Sequence, residues 1–140
     1  MLLYLDSSAV LAWLLEEPQA ESVATVLNSA DRVATSALTL LECSRGLTRA
    51  RFAGRITRER ERALHHTLDM ASLGWEVLDI TENLLSEART EFPVEPVRSQ
   101  DAIQLATALQ IQRQLGDIAI LSFDVRLGEN ARALGLTVLP

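Results

Sequence analysis

Apolar and polar positions fall into blocks along the chain, and the blocks differ in period. Leu2 to Leu5 is an unbroken apolar run, the pattern of a strand buried on both faces of a parallel sheet. Ile118 to Leu121 is a second such run, and Arg32–Thr35, Trp75–Leu78 and Leu136–Leu139 read as shorter strands. Helical spacing fills the intervals. Helices are predicted over Ala9–Leu15, Gln19–Ser29 (after the break at Pro18), Ala37–Ala53 ended by Gly54, and Thr57–Ala71 closed by Gly74. Three more follow: Thr81–Phe92, a helix capped by Ser99 that runs to Leu115 and stops at Gly116, and Asp124–Leu134 stopped by Gly135. Pro93 to Val97 holds two prolines and reads as loop. Strands alternating with helices predict an α/β fold, a parallel sheet with helices on both faces. A length of 140 residues suits one domain spanning 1–140.

Composition narrows the classes. Apolar residues make up 48% and charged residues 23% of the chain, ordinary globular values. No stretch resembles a membrane span or a secretory signal, and Cys43 is the single cysteine, so an internal disulfide is excluded. The expectation is a cytoplasmic protein without membrane contact. All 13 basic residues are arginine. The lack of lysine excludes Schiff-base chemistry and lysine-dependent phosphate loops. A net charge of −6 does not by itself point to nucleic acid, although a cation can bridge carboxylates to phosphate.

Four acids stand in unusual company. Asp6 follows the first apolar run and Asp124 follows the run ending at Leu121, each at a strand-to-helix turn. Ligands bind at the carboxyl ends of strands in open α/β sheets, yet Asp is also a good helix cap, and that plain reading accounts for either residue alone. Glu42 lies in the apolar stretch Leu38–Cys43 and shares a helix face with Leu38. A buried carboxylate there needs a cation or a shifted pKa, or else it pairs with Arg45 or Arg49. Asp101 heads a stripe continued by Leu105 and Ala108, and it also suits the first turn of a helix by complementing the dipole. Were the first and fourth strands neighbours, all four acids would meet at one sheet edge, and they cannot all be ionised there without a cation. Oxygen-only ligation selects Mg²⁺ or Mn²⁺. Zinc would want Cys43, His65 or His66, which lack ligand spacing.

The motifs resemble those of PIN-domain ribonucleases, and in size the chain resembles the VapC-type toxins of toxin–antitoxin pairs. Leu5-Asp6-Ser7-Ser8-Ala9 is similar to the first family motif, and Thr39-Leu40-Leu41-Glu42 to the second. Asp101-Ala102-Ile103-Gln104-Leu105-Ala106-Thr107-Ala108 resembles the third and most specific, and Ser122-Phe123-Asp124-Val125-Arg126-Leu127 the fourth. The tail Ala133–Val138 also fits, so the resemblance spans essentially the whole chain. One departure is Gln104, where many members carry His; that position is not a metal ligand in the family. The resemblance implies an α/β/α sandwich, Mg²⁺-dependent RNA cleavage leaving 5′-phosphate and 3′-hydroxyl ends, an antitoxin partner and frequent homodimers. Asp6, Glu42, Asp101 and Asp124 would be the catalytic metal ligands or hold water on the metal, with Ser7 available to donate to substrate.

Arginines at 45, 49, 51, 55, 58, 60 and 62 outnumber Glu59 and Glu61 across the two middle helices. They form a candidate RNA phosphate track, represented by Arg51, Arg55 and Arg58, or a solvated face with Glu–Arg pairs. Other readings fare less well. A haloacid-dehalogenase-type phosphohydrolase wants a second Asp where Ser8 stands, and it and a receiver domain each use a lysine. A PIN-like module that binds RNA or protein without cleavage remains the alternative outcome of an RNA assay.

Overall fold

A computed structural model describes residues 1–139. The chain runs β1 (Leu2–Leu5), α1 (Ser7–Leu14), α2 (Ala20–Ser29), β2 (Arg32–Ser36), α3 (Ala37–Phe52) and α4 (Arg58–Ser72). It continues β3 (Glu76–Leu78), α5 (Glu82–Ala88), α6 (Ser99–Leu115), β4 (Ile118–Leu121), α7 (Val125–Ala133) and β5 (Thr137–Leu139). All strands are parallel, in the order β3-β2-β1-β4-β5. The first strand is therefore central, hydrogen-bonded to β2 on one side and β4 on the other.

Side-chain alternation in β1 explains the layers. Leu3 and Leu5 point to one face, where Val10, Leu14, Cys43, Leu47, Leu64 and Leu68 cover them from α1, α3 and α4. Tyr4 points to the other, where Leu105, Ala108 and Ile111 of α6 and Leu127 and Ala131 of α7 pack. Helices thus cover both faces, the three-layer α/β/α arrangement that the strand–helix alternation predicts. Gly46 is a close contact between α1 and α3: a methyl group there would meet the Leu11 side chain at 2.8 Å.

Two expectations need correction. Ser99 does not cap α6; it is the first helical residue, and the cap position falls to Arg98, whose side chain makes no capping bond. The helix after Thr81 ends at Ala88 rather than Phe92. Pro93 disfavours helical geometry at the residue before it, and Thr90 turns its hydroxyl onto the Glu87 carbonyl at 2.7 Å. His65 and His66 lie on α4, the first half-buried and the second exposed.

Candidate active site

Strand order places the acids. The chain moves from β1 outward to β2 and β3, then returns to the opposite side of β1 as β4. This reversal opens a crevice beyond the carboxyl ends of β1 and β4. Register pairs Leu5 with Leu121, so Asp6 and Ser122 leave the sheet side by side. Ser36 ends β2 and caps α3, accepting from Leu38 N at 3.1 Å, and so Glu42 falls in the second turn of α3. Asp101 sits in the first turn of α6.

Asp6 is only 3% exposed. Its Oδ1 accepts from Ala9 N at 3.1 Å and Ser8 Oγ at 2.7 Å, and its Oδ2 accepts from Ser122 Oγ at 2.6 Å. Burial pushes its carboxyl from 3.8 up to about 6, against those hydrogen bonds and with help from the nearby Asp124 charge. Asp101, also buried, is raised by burial first and by Asp124 second, and Arg98 only partly offsets this. Burial, with the Asp6 carboxylate, likewise pushes the Tyr4 phenol up. Capping and clustering coexist: Asp6 and Asp124 both cap helices, Asp124 accepting from Leu127 N at 2.9 Å.

Glu42 is half-buried and forms no ion pair with Arg45 or Arg49. Its Oε1 instead accepts from Ser7 Oγ and from Gln104 Nε2, each at 3.2 Å. Arg98 reaches across the open side, its Nε 3.3 Å from Asp101 and a terminal nitrogen 3.4 Å from Asp124. Its side chain stays 76% exposed, so the contact is screened and readily exchanged. Asn130, fully buried, accepts from Val94 N at 2.8 Å and donates to Val94 O at 2.9 Å, which fastens the loop leading to Arg98 onto α7.

The four acids therefore share one sheet edge, in two pairs. Asp101 and Asp124 have a cationic partner; among the described residues, Asp6 and Glu42 have only neutral donors. Their oxygens fit a hard divalent cation, and the raised carboxyls of Asp6 and Asp101 mark negative charge in want of neutralisation. Among the described residues no three Asp, Glu, His or Cys side chains already make a ligand cluster. Composition and strand turns pointed to the acids, whereas Ser122, Arg98, Gln104 and Asn130 were not singled out as functional. Ser122 left a signal, a hydroxyl at a strand end two residues before an acid, and Gln104 showed only as a departure from the family motif.

The arginine cluster separates into two sets. Arg51 donates to Glu61 at 2.8 Å and lies 4.4 Å above the Phe52 ring. Arg55 pairs with Glu17 at 3.6 Å and Arg60 with Glu16 at 3.1 Å. Arg45, Arg49, Arg58 and Arg62 are exposed and have no ion pair among the described residues. Of these, Arg45 and Arg49 lie three and seven residues beyond Glu42, on its side of α3 and about 5 and 10 Å further along the axis.

Against known protein families, the PIN domain matches residues 3–133. The chain belongs to the PIN-domain family. Two curated relatives of this PIN domain come from Mycobacterium tuberculosis. Ribonuclease VapC46 is 35% identical over 98% of this chain and 95% of its own length, and Ribonuclease VapC47 is 33% identical over 96% and 93%. Among solved structures, Mycobacterium tuberculosis VapC20, described as a sarcin-ricin loop cleaving toxin, superimposes with a TM-score of 0.67 at 19% identity, covering 96% of both chains. The VapBC2 complex of Rickettsia felis, bound to a promoter DNA fragment, gives 0.66 at 15% identity over 99% and 98%. These structures share the PIN fold. Among the described residues, no helix of this PIN domain is long and apolar enough to cross a membrane.

Proposed function

We propose that residues 1–140 form one nuclease domain, a divalent-cation-dependent endoribonuclease acting as the toxin of a type II toxin–antitoxin pair. The observation that carries the chemistry is the sharing of one sheet edge by Asp6, Glu42, Asp101 and Asp124, two of them raised. Family membership and the curated relatives named ribonuclease VapC support RNA as the substrate class and favour a toxin role.

Asp6, Glu42, Asp101 and Asp124 are the residues that would hold Mg²⁺, or Mn²⁺ in its place. A bound divalent ion supplies Lewis-acid stabilisation of a phosphoryl oxygen and a more acidic water. The chain's own residues do the rest. Ser8 and Ser122 fix both oxygens of Asp6; Ser7 engages Glu42 rather than pointing outward to substrate. Arg98 balances Asp101 and Asp124 and, once exchanged, is free to meet a phosphate. Arg45 and Arg49 offer an unpaired track for the RNA backbone beyond Glu42. We further propose a cognate antitoxin and a homodimer. An acidic edge already bridged by one guanidinium is suited to accept a partner's arginine.

A labelled RNA, incubated with protein in Mg²⁺ and in EDTA, tests the reading. Cleavage in Mg²⁺ that EDTA stops, and that Asp6→Asn and Asp101→Asn each lower by orders of magnitude while remaining folded, supports it. Binding without cleavage would transfer the chain to the binding-module class. Arrest of growth on expression, relieved by co-expressing the neighbouring small gene, tests the toxin role.

A further inference from the structure

We propose that Gln104 is a positioning residue for the cation site: its buried amide holds one oxygen of Glu42 and leaves the other without a hydrogen-bond donor, available as a ligand. The inference rests on the cation-dependent reading above and adds to it a residue that contacts neither cation nor RNA.

Gln104 stands on α6 among Ala102, Leu105, Ala106 and Ala108 and is 2% exposed. An amide enclosed in this way costs stability unless its donors and acceptor are matched. Here they are matched by side chains from two other elements. The Tyr4 hydroxyl, from β1, donates to Oε1. Nε2 donates to Thr39 Oγ1 at 3.0 Å and to Glu42 Oε1 at 3.2 Å, both on α3. The reverse orientation would set the amide oxygen against the Glu42 carboxylate, acceptor to acceptor, so the charge on Glu42 selects the orientation and the Tyr4 proton reinforces it.

An apolar pair of the same size at positions 4 and 104 would pack there at little cost, so packing alone does not explain the network. The position of its last bond does. Nε2 and Ser7 Oγ converge on the same oxygen, Oε1, and among the described residues Oε2 accepts no hydrogen bond. Both donors are neutral. A buried arginine at this place would also donate to Glu42 but would oppose a cation with its own charge, unlike the exposed and exchangeable Arg98 beside Asp101 and Asp124. A neutral amide orients the carboxylate and preserves its charge, the pattern by which outer-shell partners tune metal ligands.

The test measures Mg²⁺ affinity of the intact protein by calorimetry, separately from cleavage. Gln104→Met keeps volume and removes the donor, and its dissociation constant is expected to rise about tenfold. Cleavage should fall by a similar factor at limiting Mg²⁺ and recover at saturation. Gln104→His, which keeps an N–H within reach of Glu42, should return the constant to within about threefold of wild type. Because the methionine variant removes the Gln104 acceptor from the buried Tyr4 hydroxyl and could fail to fold, Tyr4→Phe/Gln104→Met is measured beside it; the double variant should fold and show the same loss of affinity. Unchanged Mg²⁺ affinity in a folded donor-less variant overturns the positioning role while leaving the nuclease reading intact. Equal losses in the methionine and histidine variants, tracking a lowered melting temperature, also overturn it. A wild-type protein that binds no divalent cation would overturn the reading of the site itself, and this role with it.

Discussion

Ser122 donates its hydroxyl to Oδ2 of Asp6 at 2.6 Å, joining residues 116 apart in sequence across neighbouring strand ends. The bond stabilises the charged form of Asp6, and yet burial prevails and the carboxyl rests at about 6. Asp6 is thus a hydrogen-bonded acid that the fold still finds costly to ionise.

That cost has a pH signature. Without metal, folded Asp6 binds a proton up to about pH 6 that the unfolded chain gives up near 3.8. Stability contributed by the bound proton is present at low pH and is lost as pH rises across this window, by about 3 kcal/mol in total. Denaturant midpoints of wild type and Asp6→Asn, in EDTA from about pH 4 to 7, should diverge in favour of the variant as pH rises. A constant difference would place Asp6 at an ordinary carboxyl value.

Asp101 carries the same strain in milder form. Asp101→Asn removes one charge beside Asp124 with little change of shape, so in EDTA it should melt at or above wild type. Mg²⁺ at 100 times its dissociation constant should stabilise wild type by roughly 2.7 kcal/mol and the variant clearly less. Melting curves of both proteins, with EDTA and with Mg²⁺, decide this. A variant that melts well below wild type in EDTA and responds equally to Mg²⁺ would make Asp101 a structural helix-start acid.

The arginines should divide by function along the lines of their ion pairs. Arg51→Ala strands Glu61, which is 11% exposed at its side chain and already has one oxygen without a partner. It should lower stability by about 3 kcal/mol, read as a shifted denaturant midpoint. Arg45→Ala/Arg49→Ala should leave stability nearly unchanged and weaken RNA binding, with the log–log salt slope falling by about 1.4 for two single-strand phosphates. RNA affinity that follows Arg51, Arg55 and Arg58 instead would restore the original track.

Asn130 should matter beyond its own helix. Asn130→Ala leaves the backbone of Val94 without both its partners, and a loss of about 2–3 kcal/mol is expected. The loop from Pro93 to Arg98 should then exchange amide hydrogens faster, while the amides of β1 do not. Equal exchange in both proteins would show that the other contacts of the loop, such as Arg126 on the Pro96 carbonyl at 3.1 Å, suffice to hold it.

Much of this arrangement was legible in the chain. The apolar runs of β1 and β4 announce central strands because both faces are covered, and Gly116 and Gly135 end helices with φ of 99° and 83°. The acids announced themselves because Asp6 follows a run buried on both faces and Glu42 shares a helix face with Leu38. What escaped notice is polar chemistry whose partner arrives from far away. Gln104 shows in the sequence as a departure from the family motif, but its role appears only once Tyr4 and Glu42 surround it. Arg51 belongs to a basic run until Glu61 claims it. The helix after Thr81 reads past its true end because the effect of Pro93 reaches back through a turn.

The central place of the first strand bears on how the protein is made. β1 leaves the ribosome before the other elements of this domain, but its neighbour β4 and the acid beyond it follow more than 110 residues later. A nascent polypeptide that has not yet released Ser122 and Asp124 has Asp6 without the Ser122 hydroxyl on its second oxygen, one open edge on its middle strand, and no fourth carboxylate. For an RNA-cutting enzyme made by an RNA machine, the blade is not assembled until the fourth strand of this domain and the turn after it have emerged.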